Sequence, residues 1–141
     1  MGSRAAEPEA RARRRRSVLA AQGAYYVLMG AWPLAHFASF ARAVALPVNP
    51  FQAHVFGAVL VVLGACLLEA ARREPPTAFP TLLGVSVAAA IAFVELVWLP
   101  QSRVQSVLWL DLIVQLAAAV ALLLFYPRAP AQPERLGARR R

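Results

Sequence analysis

The chain has 141 residues, 60% of them hydrophobic, and its fifteen arginines and absence of lysine give a formal net charge of +8. A water-soluble domain is nearer half apolar and interleaves its charges with its apolar residues, whereas here the charges collect at the ends and in short connectors. These features exclude an ordinary soluble domain, and the absence of apolar–polar alternation excludes a sheet in lipid.

Four apolar stretches follow one another along the chain, approximately residues 18–40, 51–71, 78–99 and 104–126. Each is close to the ~20 residues that a helix needs to cross the hydrocarbon core of a bilayer. The connectors are short, so consecutive helices should be antiparallel neighbours. The sequence therefore predicts an all-α fold, a four-transmembrane-helix up-down-up-down bundle over residues 18–126. A basic, disordered tail is expected at residues 1–17, or one lying on the membrane surface, and a second basic tail at residues 127–141.

The arginines orient the predicted bundle. Thirteen of the fifteen lie in the two tails and in the connector after the second span, and only Arg42 and Arg103 lie in the other connectors. Because positive charge accumulates on the cytoplasmic side, we expect a multi-pass protein of the bacterial inner (plasma) membrane with cytoplasmic N- and C-termini. The tails should contact anionic lipids of the bilayer, and without interleaved aromatic residues they do not predict nucleic-acid binding.

Small and polar residues at helical spacing mark the faces that should be buried between helices in lipid. In the first span they are Gln22, Tyr25, Met29, Trp32, His36 and Ser39. The second span offers two such faces, one with Ala58, Ala65 and Glu69 and one with Gly57 and Gly64. In the third they are Thr81, Gly84, Ala88, Ala92 and Glu95, and in the fourth Leu108, Asp111, Gln115 and Ala118. Stripes of this kind most often reflect packing alone.

Ionisable groups inside a membrane are costly and need a reason to be there. With ~1.5 Å of rise per residue, the ionisable groups of the spans other than Glu69 fall in the outer half of the bundle. The candidate polar cluster consists of Trp32, His36, His54, Glu95, Asp111 and Gln115.

Three arrangements of this cluster are open. A carboxylate could pair with protonated His36 or with Arg103, the carboxyls could be kept neutral by desolvation and mutual repulsion, or the cluster could bind a cation or a polar ligand. No motif such as H-E-x-x-H is present, so no metal, cofactor or catalytic residue is assigned.

The segment Gly30-Ala31-Trp32-Pro33-Leu34-Ala35-His36 resembles the G-x-W-P-L-x-H segment that ends the first helix in a group of small, uncharacterised bacterial four-helix membrane proteins. Glu95 and Asp111 match acidic residues late in the third helix and early in the fourth of that group. The resemblance implies a fold and a topology but no activity. A vaguer likeness to DoxX-type proteins depends on size and hydropathy alone.

Three functions compete. The favoured one is a non-enzymatic accessory or interaction protein that self-associates or binds a membrane protein partner. The alternative is a small proton-linked transporter or ligand-binding membrane protein that uses the polar cluster. The third is an intramembrane enzyme acting on a lipid-soluble substrate, with Glu95 and Asp111 as acid and base; the absence of a nucleophile motif or dinucleotide fingerprint disfavours it.

Overall fold

The computed structural model describes residues 3–45, 48–73, 77–99 and 106–126, which form four α-helices and, in these ranges, no strand. The helices are α1 (Ser3–Val44), α2 (Pro50–Arg72), α3 (Ala78–Trp98) and α4 (Ser106–Leu124). The all-α prediction is confirmed, and α2, α3 and α4 closely match the last three predicted spans. Arg103 and the predicted tail at 127–141 lie outside the described residues.

Three of the helices are long and apolar enough to cross a membrane: α2, α3 and, in α4, residues Val107–Leu124. Helix α1 is not among them, although it contains the first predicted span. Its central turns carry Gln22, Tyr25, Tyr26 and His36, which lower its mean hydropathy. Whether α1 spans the bilayer therefore depends on how these polar groups are accommodated by the other helices.

The N-terminal residues differ from their prediction. Instead of a disordered tail, residues 3–17 continue the helix of the first span, so that α1 is 42 residues long. Arg, Ala and Glu all have high helix propensity, and extending an existing helix avoids the cost of nucleation. Tertiary contacts also hold this segment, because Arg11 Nη2 donates a hydrogen bond to Leu124 O at 2.6 Å.

Helices α1 and α2 pack through two pairs of glycines. A Cβ at Gly57 would lie 2.5 Å from Gly30 O, and a Cβ at Gly64 would lie 2.5 Å from Gly23 O. Only glycine permits backbones to approach this closely, as is common at helix interfaces in membranes. The order of the pairs, Gly23 with Gly64 and Gly30 with Gly57, shows that α1 and α2 are antiparallel.

The other contacts define the remaining helix directions. Glu95 neighbours Asp111 and Gly84 contacts Leu122, so α3 and α4 are antiparallel. The main hydrophobic core combines residues of three helices: Leu19, Tyr26, Leu60, Leu67 and Leu122. On α3, the predicted stripe Thr81, Gly84, Ala88 and Ala92 is buried, as expected.

We predict that Gly57→Val destabilises the protein by about 1–3 kcal/mol or more, because the new side chain must displace the α1 backbone. Ala58→Val is the matched control, since Ala58 is the next residue of α2 and is exposed. It should change the free energy of unfolding by no more than about 0.5 kcal/mol. Titration of SDS into mixed micelles measures both values, and equal losses in the two variants would contradict the glycine interface.

Candidate functional site

A chain of buried hydrogen bonds connects α1 to α3 and α4. Gln22 Nε2 donates to Tyr26 Oη at 3.0 Å and to the Gly84 carbonyl oxygen at 2.9 Å. Tyr26 Oη in turn donates to Gln115 Oε1 at 2.8 Å. Gln22, Tyr26 and Gln115 are all nearly inaccessible. Polar groups in an apolar interior are stable only when paired, so these bonds explain how α1 carries polar residues into the bundle.

This series of hydrogen bonds continues to a pair of carboxyl groups. Asp111 Oδ1 accepts hydrogen bonds from Tyr25 Oη at 2.6 Å and from Gln115 Nε2 at 3.1 Å. The Glu95 carboxyl lies within hydrogen-bonding reach of Asp111. A hydrogen bond between two carboxyls requires a proton on one of them. The second Glu95 oxygen, Oε2, is buried and has no hydrogen-bond partner, so it is available to a further polar group.

A cavity of about 430 Å³ lies beside the two carboxyls. Its walls are predominantly apolar, and its polar groups are contributed mainly by Tyr25, Glu95, Asp111 and Gln115. The rest of the lining includes Tyr26, Met29, Trp32, Phe40, Val44, Phe56, Leu60, Ala90, Ile91, Val94, Val107 and Leu108. Because Phe56, Ala90 and Val94 are exposed on the outside of the bundle, the cavity reaches the outer surface of the bundle between α2 and α3.

A break in α1 forms one wall of the cavity. His36 has non-helical backbone angles, φ −152° and ψ 75°, three residues after Pro33. Pro33 removes a backbone donor and weakens the helix at this point. After the break, the His36 Nδ1 atom accepts a hydrogen bond from Ser39 N at 3.1 Å, and Trp32 Nε1 donates to Ser39 Oγ at 2.8 Å. The redirected segment places Phe40 and Val44 against the cavity.

The structure brings together four of the six predicted site residues. Trp32, Glu95, Asp111 and Gln115 line the cavity, but His36 and His54 do not. The imidazole of His36 is exposed and accepts a hydrogen bond from the backbone of its own helix, at the break in α1.

His54 is also separate from the carboxyls. It stacks on Phe37 at 5.8 Å between ring centroids. Of the arrangements that the sequence left open, neither the pairing of a carboxyl with His36 nor a metal site combining His36, Glu95 and Asp111 is found among the contacts of the described residues. Within the described residues, no group of three or more His, Cys, Asp or Glu side chains could hold a metal ion.

Tyr26 is a residue of the candidate site that sequence reasoning missed. Tyr25 and Gln22 belong to the predicted stripe of the first span, whereas Tyr26 lies one position off that stripe. Its full burial and its two hydrogen bonds make it the link between Gln22 and Gln115. The available signal was a pair of adjacent tyrosines in the middle of a span, where interfacial anchoring cannot explain them.

No family model, curated protein or solved structure matches this chain. The resemblance of the Gly30–His36 segment to small bacterial four-helix proteins therefore stays a prediction. The structure nonetheless gives this segment a physical role, since Gly30 contacts α2 and Trp32 and His36 bond to Ser39 beyond the helix break.

We predict that Tyr26→Phe destabilises the protein by about 1–2 kcal/mol, because it removes one of the two acceptors of Gln22 Nε2 and the hydroxyl that donates to the buried Gln115 Oε1. A double-mutant cycle with Gln115→Leu should give a coupling energy of about 0.5–1.5 kcal/mol. Unfolding in mixed micelles measures the four free energies. Strictly additive effects would show that the hydrogen bond between Tyr26 and Gln115 does not form in the membrane.

Proposed function

We propose that this protein is an integral membrane protein that binds a lipid-soluble small molecule in the cavity beside Glu95 and Asp111. This is the ligand-binding form of the alternative drawn from the sequence. The observation that carries it is the combination of an apolar cavity with a buried, unpartnered Glu95 Oε2 at its wall. The ligand would have an apolar body and one polar group that hydrogen-bonds to this oxygen.

The size and chemistry of the cavity support this proposal. Its volume of about 430 Å³ lies within the ~300–1,000 Å³ that is usual for small-molecule sites, and such sites combine apolar walls with a few convergent polar groups. A ligand could enter sideways from the bilayer, between α2 and α3, without passing through water. An apolar lining suits a lipid-soluble compound much better than an ion, so the cavity gives little support to a proton-linked transporter.

The membrane arrangement is part of the same proposal. We infer that α1 is the fourth span, because its polar residues bond to α3 and α4 and so need not contact lipid. The arginine distribution supports cytoplasmic termini in a bacterial plasma membrane. In this orientation the carboxyl pair belongs to the outer half of the bundle, and Arg15 with the N-terminus of α3 belongs to the cytoplasmic end.

A non-enzymatic accessory or interaction protein is the second candidate. It is favoured by the hydrogen-bond chain from Gln22 to Asp111, which links three helices and needs no ligand for its stability. Under this interpretation the cavity is a packing defect, and variants of Glu95 would alter assembly alone. An intramembrane enzyme would need the same cavity and both carboxyls, and it becomes testable once a ligand is known.

The test uses two alanines on α3 that are both exposed, of which only Ala90 lines the cavity. We predict that Ala90→Phe, by filling the cavity, lowers the affinity for a lipid-soluble ligand at least about tenfold, or about 1.4 kcal/mol. Ala89→Phe should leave the affinity unchanged. The probes are farnesol, a short-chain ubiquinone and decanoic acid, and binding is measured by thermal stabilisation of the detergent-solubilised protein.

The 1-deoxy analogue of farnesol, which keeps the carbon chain and the double bonds but lacks the hydroxyl group, tests the role of Glu95. It should bind more weakly than farnesol to the wild-type protein, and Glu95→Leu should remove the difference. Absence of saturable binding for every probe, or equal affinities in Ala90→Phe and Ala89→Phe, would reject the ligand-binding proposal and favour the accessory role.

A further inference from the structure

A second cleft, of about 840 Å³, lies at the opposite end of α2 and α3 from the carboxyl pair. At its polar end is Arg15, which is only 3% exposed. Arg15 Nη1 donates hydrogen bonds to Thr77 O at 2.9 Å and to Thr81 Oγ1 at 3.3 Å. The Nε atom of Arg15 is buried and has no hydrogen-bond partner.

The buried charge of Arg15 has no carboxylate partner in the part of the chain that the structure describes. Burial, and secondarily the neighbouring charge of Arg16, lower the pKa of Arg15 from its ordinary value, yet a guanidinium remains protonated in proteins. A buried cation with an unsatisfied donor is costly unless an anion pairs with it. The cleft therefore contains a positive group that none of the described residues neutralises.

The first turn of α3 adds to this positive end. Thr77 is the N-cap residue of α3, but its side chain makes no capping hydrogen bond. The first backbone N–H groups of a helix and the helix dipole favour an anion at this position. Thr77, Phe79 and Pro80 line the same cleft as Arg15.

The remainder of the cleft is apolar and faces the bilayer. Its walls include Val61, Val62, Leu67, Phe79 and Leu83 of α2 and α3, and Val62 and Phe79 are 63% and 72% exposed. At the rim, Glu69 and Arg73 form an exposed ion pair with 2.9 Å between Oε1 and Nε, so Glu69 does not neutralise Arg15. The cleft thus joins a cationic end to an apolar groove along two candidate membrane spans.

We propose that this cleft is a binding site for an anionic phospholipid, with the phosphate at Arg15 and the first turn of α3 and an acyl chain along Val62 and Phe79. A soluble anion would use the cationic end but not the apolar groove. The site is separate from the cavity at Glu95 and does not depend on the function proposed for that cavity. It also differs from a general attraction of the arginine-rich tail, because it requires one buried guanidinium.

The test compares Arg15→Gln with Arg13→Gln, which removes the same charge from an exposed position on the same helix. Native mass spectrometry of the full-length, detergent-solubilised protein measures binding of palmitoyl-oleoyl-phosphatidylglycerol and of the phosphatidylcholine with the same chains. We predict that the wild-type protein prefers phosphatidylglycerol by about tenfold or more. Arg15→Gln should abolish this preference, and Arg13→Gln should retain it.

Two further variants leave the contacts of Arg15 intact and so test the groove even if Arg15→Gln does not fold. Val62→Trp should block the acyl groove and weaken phosphatidylglycerol binding about tenfold. Val59→Trp, at an exposed position of α2 outside the cleft, should not. Equal losses in Arg13→Gln and Arg15→Gln, no effect of Val62→Trp, or competition by equimolar inorganic phosphate would overturn the proposal.

Discussion

In the proposed four-span arrangement, the polar side chains of α1 must find their partners inside the protein, because lipid offers no hydrogen bonds to them. The amide nitrogen of Gln22 and the hydroxyl groups of Tyr25 and Tyr26 meet this requirement on α3 or α4, whereas Gln22 Oε1 is buried without a hydrogen-bond partner. The opposite side of α1 carries Gly23 and Gly30, which contact α2. One helix therefore joins the other three, with close backbone packing on one side and hydrogen bonds on the other.

This arrangement leaves the seam between α2 and α3 weakly packed, since both helices are held mainly through their neighbours α1 and α4. The cavity at Glu95 and the cleft at Arg15 both open along this seam, one near each end. Each combines apolar walls with a polar group that is not fully satisfied, Glu95 Oε2 in one and Arg15 Nε in the other. The two openings thus have the same physical origin but different polar groups, a carboxyl group in one and a guanidinium in the other.

The helices and much of their packing could be predicted from the sequence. Small residues in apolar segments have few roles other than close packing against another helix. The buried stripe of α3 was predicted residue by residue, and on α2 the Gly57 and Gly64 face is buried while Ala58 and Ala65 are exposed. The position of each residue along its helix, estimated from the rise per residue, also correctly predicted that Glu95 lies beside Asp111. Two antiparallel neighbours joined by a short connector have little freedom in register.

The failures concern side chains whose direction depends on local backbone geometry. His36 was expected to join the carboxyls because of its helical spacing, and the break at that residue invalidates the spacing. Tyr26 was missed because it departs from the stripe by one position, and the helical extension through Arg15 was missed because composition does not reveal contacts with Thr77 and Thr81. These errors came from a local helix break in one case and from tertiary contacts in the others, and hydrophobic periodicity predicts neither.

Helix α1 brings its polar residues into a hydrogen-bond network that ends at the Glu95–Asp111 pair. Infrared spectra of the protein in lipid bilayers at neutral pH test it most directly, because protonated carboxyls and carboxylates absorb at different frequencies. The account predicts a protonated carboxyl band that disappears in Glu95→Gln and in Asp111→Asn and shifts in Tyr25→Phe. Spectra with carboxylate bands alone, unchanged by Tyr25→Phe, would show that the two groups are separately hydrated and that the network does not exist.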